Sequence, residues 1–192
     1  MKPGAIFLIL FMLAIMAGIM VWAVSRAQRL FRAQYAALIL VAKARGFKFL
    51  DDPDPDVRIR MEGNIDGVSV RVRARIFRQS RRADPILDVR ARGRLTPPNG
   101  VIIKRKGTIG AKLVVEGEGA APLTETLRHP GFRRAMEAVT DPLWAGSPGD
   151  GWMDHEGVSV QKGGYQGDPE VITEMIDRAV QAALKFEEAS QT

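Results

Sequence analysis

The hydrophobic pattern of the chain changes period three times, and each change predicts a different kind of element. Residues Ala5 to Val24 read AIFLILFMLAIMAGIMVWAV, twenty positions without a charge. As a helix this run is about 30 Å long, the thickness of a bilayer's hydrocarbon core. It is apolar on every side, which argues against a core helix with one wet face. Trp22, with Arg26 and Arg29 just beyond it, has the amphipathic and cationic character of a membrane interface. A cleaved signal peptide is the competing reading, with Ala23 and Ser25 as small residues before a cut at Arg26. The run exceeds the usual signal-peptide core, so a retained transmembrane anchor over residues 1–25 is expected.

From Arg26 to Arg45 there is no Pro or Gly, and Phe31, Tyr35, Leu38 and Ala42 share one helical face. The spacing predicts a helical stalk over 26–46 that continues the anchor and stops at Gly46. Leu38-Ile39-Leu40-Val41 is apolar almost all round and needs a cover, from the domain or from a neighbour.

The period then falls to two. Val57, Ile59 and Met61 alternate with Arg58, Arg60 and Glu62; Val68, Val70, Val72, Ala74 and Ile76 alternate with Ser69, Arg71, Arg73 and Arg75. Leu87, Val89, Ala91, Gly93 and Leu95 alternate with Asp88, Arg90, Arg92 and Arg94. These are strands with one buried and one polar face. Asn64-Ile65-Asp66-Gly67 is a turn signal between the first two, and Pro97-Pro98-Asn99-Gly100 ends the third. Val101–Ile103 and Leu113–Val115 are shorter strand candidates on either side of a break at Gly107 to Gly110.

Helical spacing returns in the last third. Leu123 to Leu127 suggests a short helix; Phe132, Met136 and Val139 mark another, opened at Pro130 or Gly131 and closed by Asp141-Pro142. Trp152–Asp154 and Val158–Val160 flank a turn at His155-Glu156-Gly157, which predicts a hairpin. Asp168 as N-cap, Pro169 at N1 and Glu170 in the first turn start a final helix. Its apolar stripe is Ile172, Met175, Ile176, Ala179, Val180, Ala183 and Leu184, and it should pack on the sheet. The fold class read from these periods is α+β: a transmembrane helix continuing into a stalk, then a mainly antiparallel sheet packed by C-terminal helices in a soluble domain over 47–192.

Charge alters this picture in one place. The 192 residues carry a formal net charge of +6, but it is segregated: residues 57–106 are net +10, residues 107–192 net −7 and residues 1–56 net +3. Arg58, Arg60, Arg71, Arg73, Arg75, Arg90, Arg92 and Arg94 fall in phase on the polar face of the strands, broken only by Glu62 and Asp88. Like charges opposite one another across strands repel, so such a face calls for anions. They can come from the acidic C-terminal half, an anionic leaflet, an acidic partner protein or nucleic acid. Nucleic acid fits poorly because Phe77 is the sole aromatic near these arginines and single-strand binders offer stacking platforms.

Candidate chemistry is sparse. With no Cys there is no thiol nucleophile, disulfide or Cys zinc site, and only two His are present. His129 stands beside Pro130; His155 lies between Asp154 and Glu156 at a tight turn, where neighbouring side chains diverge. Asp52, Asp54 and Asp56 have the acidic spacing of a calcium loop, but Val57 stands where that loop needs Gly, so a proline-stiffened linker is the expectation. Ser147-Pro148-Gly149 lacks the setting of a nucleophile elbow, and Gly117-Glu118-Gly119 lacks the rest of a phosphate loop. No metal site and no cofactor is implied.

The sequence therefore points to a single-pass protein of a bacterial-type cell membrane. Arg26, Arg29, Arg32 and Lys43 outnumber Lys2, so the positive-inside rule puts the domain on the cytoplasmic side, the opposite side being the alternative. Its partners would be the bilayer and another membrane protein or a second copy, with Ala14 and Gly18 as a small-residue pair for helix approach. The expected role is a non-catalytic accessory or scaffold protein of a membrane assembly. A peripheral sensor that binds anionic lipid through the arginine face, and an enzyme with a cryptic site, are the alternatives.

Overall fold

A computed structural model describes residues 3–79, 82–107, 112–141 and 149–191; for 3–9, 77–79, 82, 83 and 149 the backbone alone is described. A single helix, α1 (Pro3–Arg45), leads into strands β1 (Lys48–Leu50), β2 (Val57–Ile65), β3 (Val68–Gln79), β4 (Arg82–Arg92), β5 (Ile102–Lys106) and β6 (Lys112–Glu116). Helices α2 (Ala120–Thr126) and α3 (Pro130–Val139) follow, then β7 (Gly149–Asp154), β8 (Gly157–Gly163) and α4 (Pro169–Ser190). The strands form one 8-stranded sheet in the order β1-β2-β3-β4-β8-β7-β5-β6, antiparallel at every pairing.

Helix α1 is long and apolar enough to span a membrane, and among the described residues none of its most apolar 18-residue stretch is buried. Its large side chains from Leu10 to Val24 are 44% to 67% exposed. The second half is different. Gln34, Ala37, Leu38, Val41 and Ala42 are buried against the rest of the protein, so this part of the stalk is also part of the core. Gly46, at φ 70, ends the helix, and the Phe47 N–H returns to the Ala42 carbonyl at 2.9 Å, a Schellman-type closure. Of the apolar tetrad, Leu38 and Val41 face the core, while Ile39 (40%) and Leu40 (57%) face outward.

Alternation in the strands holds on the helix-facing side. Val68, Val70, Val72 and Ala74 of β3 and Leu87, Val89 and Ala91 of β4 are all buried. The turn between β2 and β3 has Asp66 at φ 52 and Gly67 at φ 85, the conformation a two-residue antiparallel hairpin favours. The Asn64 side chain accepts the Gly67 N–H at 3.0 Å. Helix α4 lies across this face, with Ile172, Met175, Ile176, Ala179, Val180 and Ala183 buried and Leu184 partly so. Ala182 and Phe186 are buried too, because α3 covers a second flank and Phe132 stacks on Phe186 at 5.3 Å. The N-cap is as the sequence predicts: the Asp168 carboxylate accepts the Glu170 N–H at 2.9 Å.

Three expectations need correction. The third strand is shifted: β4 starts at Arg82 and ends at Arg92, so Gly93, Arg94 and Leu95 are outside it. Its pattern continues in sequence, but the Glu187 side chain takes the Arg94 N–H and the chain leaves the sheet. The short helix starts three residues earlier than Leu123, after Gly119 in a left-handed conformation at φ 83. The hairpin strand β7 begins at Gly149, and β1 was unforeseen, being too short to show a period. Positions 108–110 of the expected break and Ser147-Pro148 lie outside the described residues.

The elements share one long direction. Gly167, just before α4, lies against Ala33 of α1, and twelve residues farther along α1 Arg45 pairs with Asp177 of α4 at 2.8 Å. The two helices thus run the same way. The Gly164 N–H donates to the Pro85 carbonyl at 2.8 Å near the start of β4, while Glu187 near the end of α4 holds the backbone just past β4. Strand β4 therefore also runs along α1, and β3 runs against it. The sheet has a near end, toward the apolar half of α1, and a far end at the turns Asp66-Gly67 and His155-Glu156.

Candidate interaction surface

The face of the sheet turned away from the helices carries the arginines. Register sets them in rungs. One rung crosses the sheet as Lys48, Glu62, Arg71, Arg90, Ser159, Trp152 and Lys104; the next reads Leu50, Arg60, Arg73, Asp88, Gln161 and Asp150. Six of the eight in-phase arginines belong to the ladder: Arg60, Arg71, Arg73, Arg75, Arg90 and Arg92. Two do not. Arg58 is the extra residue of a bulge between Val57 and Ile59, and Arg94 lies beyond β4.

The anions come mostly from the sheet itself. The Glu62 carboxylate takes Arg60 at 2.7 Å and Arg71 at 2.5 Å, and Asp52 stands 3.7 Å from Arg60. Asp88, 1% exposed, accepts from Arg73 at 3.1 Å and from Gln161 at 3.3 Å. Arg90 donates to Ser159 Oγ at 2.8 Å and pairs with Glu156, with Asp154 at 3.9 Å. The two acids that interrupt the arginine pattern are thus its counterions. Among the described residues, Asp154 and Glu156 are the arginine counterions that come from the acidic C-terminal half. Helix α4 packs on the other face and spends Asp177 on Arg45, Glu174 on Arg178 and Glu187 on the backbone after β4. Among the described residues, Arg75 and Arg92 are the ladder arginines with no ion pair; Arg92 is exposed and lines a shallow hollow of about 240 Å³ with Ser69, Arg71, Arg90 and Glu156.

Partial burial opposes ionisation of Glu62, but hydrogen bonds and charge from Arg71 and Arg60 outweigh it and hold its pKa below the ordinary 4.5. A carboxyl whose pKa is lowered by folding stabilises the fold above its unfolded pKa and loses that contribution as pH falls through the folded value. Glu62→Gln should therefore cost about 1.5–2 kcal/mol near neutral pH, within the range for hydrogen bonds to charged groups. The gap from the parent should close as the pH drops below about 4. Urea unfolding in detergent at several pH values measures it; a gap independent of pH would mean that packing, not charge, is lost.

Elsewhere the titratable groups give little chemistry. Lys162, on the helix-facing side of β8, is 2% exposed; burial lowers its pKa while Glu174 and Asp168 work against that shift. Such a group favours folding more as pH rises toward 10.5.

Two clefts flank β5. One, about 430 Å³, sets Arg105, Lys112 and Arg133 near Glu137, Thr140 and Asp141; the other, about 290 Å³, is bounded by Lys104, Arg105, Thr140, Asp150 and Trp152. The Thr140 hydroxyl is committed to the Met136 carbonyl at 2.8 Å, and Lys162 lines neither cleft. His129 is the N-cap residue of α3, with Nδ1 buried and without a hydrogen bond, and His155 is exposed at the far-end turn. The acids of the linker are used locally: Asp52 accepts the Asp54 N–H and Asp54 the Asp56 N–H, at 3.0 and 2.9 Å. Among the described residues no group of three or more His, Asp or Glu is placed to hold a metal ion.

Where the apolar run of α1 ends, Arg26 lies over the Trp22 ring at 5.3 Å. Higher on α1, Tyr35 packs on Phe49 of β1 with ring centroids 6.3 Å apart, and both remain nearly half exposed (47% and 43%). With Ile39 and Leu40 they leave apolar surface on the outer side of the stalk and the edge of the sheet. Sequence reasoning found the arginine face through its period and the need to cover Ile39 and Leu40, but missed the part of Phe49 in this patch, because Phe49 belongs to a strand of three residues. Compared with family models, curated proteins and solved structures, the chain matches none.

Proposed function

We propose that this is a single-pass membrane-anchored, non-catalytic accessory protein that holds its sheet at a fixed place beside another membrane protein. The observation that carries this reading is the continuity of α1. Its apolar half has no cover in the domain and suits lipid, while its second half, through Leu38 and Val41, is built into the core. An anchor joined in this way keeps the domain from swinging as it would on a flexible linker.

Direction separates the two binding readings. The strands run along α1, so a spanning α1 sets the arginine face roughly along the bilayer normal, looking sideways. Sideways surfaces meet the domains of neighbouring proteins, not headgroups. Most of the ladder arginines also have counterions already, which weakens the case for a lipid-reading face. The half-exposed Tyr35, Ile39, Leu40 and Phe49 are lateral as well and supply apolar contact area. Photo-crosslinking residues at Tyr35, Leu40 and Arg92 in native membranes test this. Protein adducts at these positions, and none at His155, are the expected result. Lipid adducts alone would count against it. A domain on the cytoplasmic side follows from the flanking arginines, and a reporter fused after Thr192 reads it directly.

A further inference from the structure

The charges of the arginine face fail to close at one place, the hollow near the far end of β3 and β4. Two adjacent rungs build it: Arg71 stands opposite Arg90, and Ser69 opposite Arg92. Ser69 is short, and Gly157 of β8, which lies against the Ala91–Arg92 backbone, has no side chain to fill the space beside it. Three guanidinium arms and the Ser69 hydroxyl thus surround a gap of about 240 Å³, with Glu156 as the acid on its wall. Like charges set directly opposite each other repel, so each arginine needs an anion. Arg71 has Glu62, which it shares with Arg60; Arg90 has Glu156 and the Ser159 hydroxyl. Arg92 is exposed and has no ion pair among the described residues.

Distance decides where an anion for Arg92 can come from. The Pro85 carbonyl accepts the Gly164 N–H, and Tyr165, the next residue, stacks edge-on against Phe31 of α1 with centroids 6.3 Å apart. The Ile76↔Pro85 rung is therefore level with Phe31. Seven rungs separate it from Ser69↔Arg92, about 23 Å farther from the apolar half of α1. The helical residues from Phe31 back to Val24 add about 10 Å. A gap of about 30 Å is several times the Debye length of about 8 Å at physiological salt, so headgroups of the bilayer that holds α1 do not reach the hollow. The size of the hollow narrows the ligand further. Pockets that enclose a whole small molecule start at about 300 Å³, whereas a carboxylate on a side chain needs less and matches the planar fork of a guanidinium.

We infer that the Arg92 hollow, with Ser69 and Arg71 beside it, is the seat of an Asp or Glu side chain from a neighbouring membrane protein. It rests on the reading that the domain stands beside such a neighbour, and it names the chemistry of the contact. One charge-assisted pair of this kind changes affinity by about tenfold or more.

Arg92→Lys keeps the charge and supplies an amine that a water-soluble carbodiimide joins to a carboxylate in contact with it. Native membranes holding the full chain would be treated, with the parent protein, whose arginine does not couple, as the blank. The expected result is an adduct heavier than this chain, at least tenfold above the blank, whose linked peptide joins position 92 to an Asp or Glu of another membrane protein. Coupling confined to Glu156 of the same chain, while photo-crosslinking residues at Tyr35 and Leu40 still trap protein, would overturn the seat and leave the accessory reading standing. An adduct joining position 92 to a second copy of this chain would overturn the assignment to a different protein. Trapping at none of the three positions would overturn the accessory reading, and the seat with it.

Discussion

A chain that begins at residue 47 is expected not to fold, although it contains every strand and α2, α3 and α4. Removing α1 strips Leu38 and Val41, 0% and 2% exposed, from the core, together with Ala37, Ala42 and the buried Gln34. It also deletes the Arg45–Asp177 pair and the helix end on which Phe47 turns. Burial of each large aliphatic side chain is worth about 1.5–3 kcal/mol, so the total loss is about 5 kcal/mol or more. That is comparable to the whole stability of a typical domain. A chain that begins at residue 26 keeps all these contacts and should fold. Circular dichroism and thermal melting of the two chains separate the outcomes. A cooperative melt from the shorter one would show that α1 is only a tether.

Gly151→Val is the second large effect. Gly151 pairs with Val160 in the β7–β8 ladder, and its α-carbon faces the C-terminus of α3. A β-carbon there would stand 2.2 Å from the Val139 carbonyl oxygen and 2.7 Å from its Cγ1. The obstacle is backbone, held in turn by Thr140 on Met136 and by Arg178 donating to the Ala138 carbonyl at 2.7 Å. Neither side can yield without breaking the seam between α3 and the sheet. Overpacking of this kind costs about 1–3 kcal/mol, more where backbone must move, so a loss of about 3 kcal/mol or more is expected. Gly163→Val, at a glycine with open space around it, is the control and should cost little. Equal losses at the two positions would mean that strand propensity, not collision, governs the result.

How much of this was legible in the sequence depends on the length of each pattern. The α1 and α4 helices and strands β2 and β3 each carry enough periodic residues to declare themselves, and Asp168-Pro169 and Gly46 mark real helix ends. Long-range competition is invisible to periodicity. Arg94 continues the alternation of β4, yet Glu187, 93 residues away in the chain, takes its N–H and ends the strand. The bulge that removes Arg58 from the ladder leaves no mark in the pattern, since the apolar alternation of Val57, Ile59 and Met61 runs straight through it. The arginine face was legible as a charge problem, but not its solution. That Glu62 and Asp88 are its counterions needs register, which sets Glu62 beside Arg71 and Asp88 beside Arg73. Nor does sequence show that the strands run along α1, the direction on which the proposed sideways setting of the arginine face rests.

The claim on which the rest depends is that the apolar half of α1 stays attached and lies in the bilayer while its second half is docked in the core. The intact mass of the protein, taken from membranes washed at alkaline pH, tests this most directly. The account predicts a full-length chain that remains with the membrane pellet and leaves it only in detergent. A chain starting near Arg26, recovered in the soluble fraction, would contradict it.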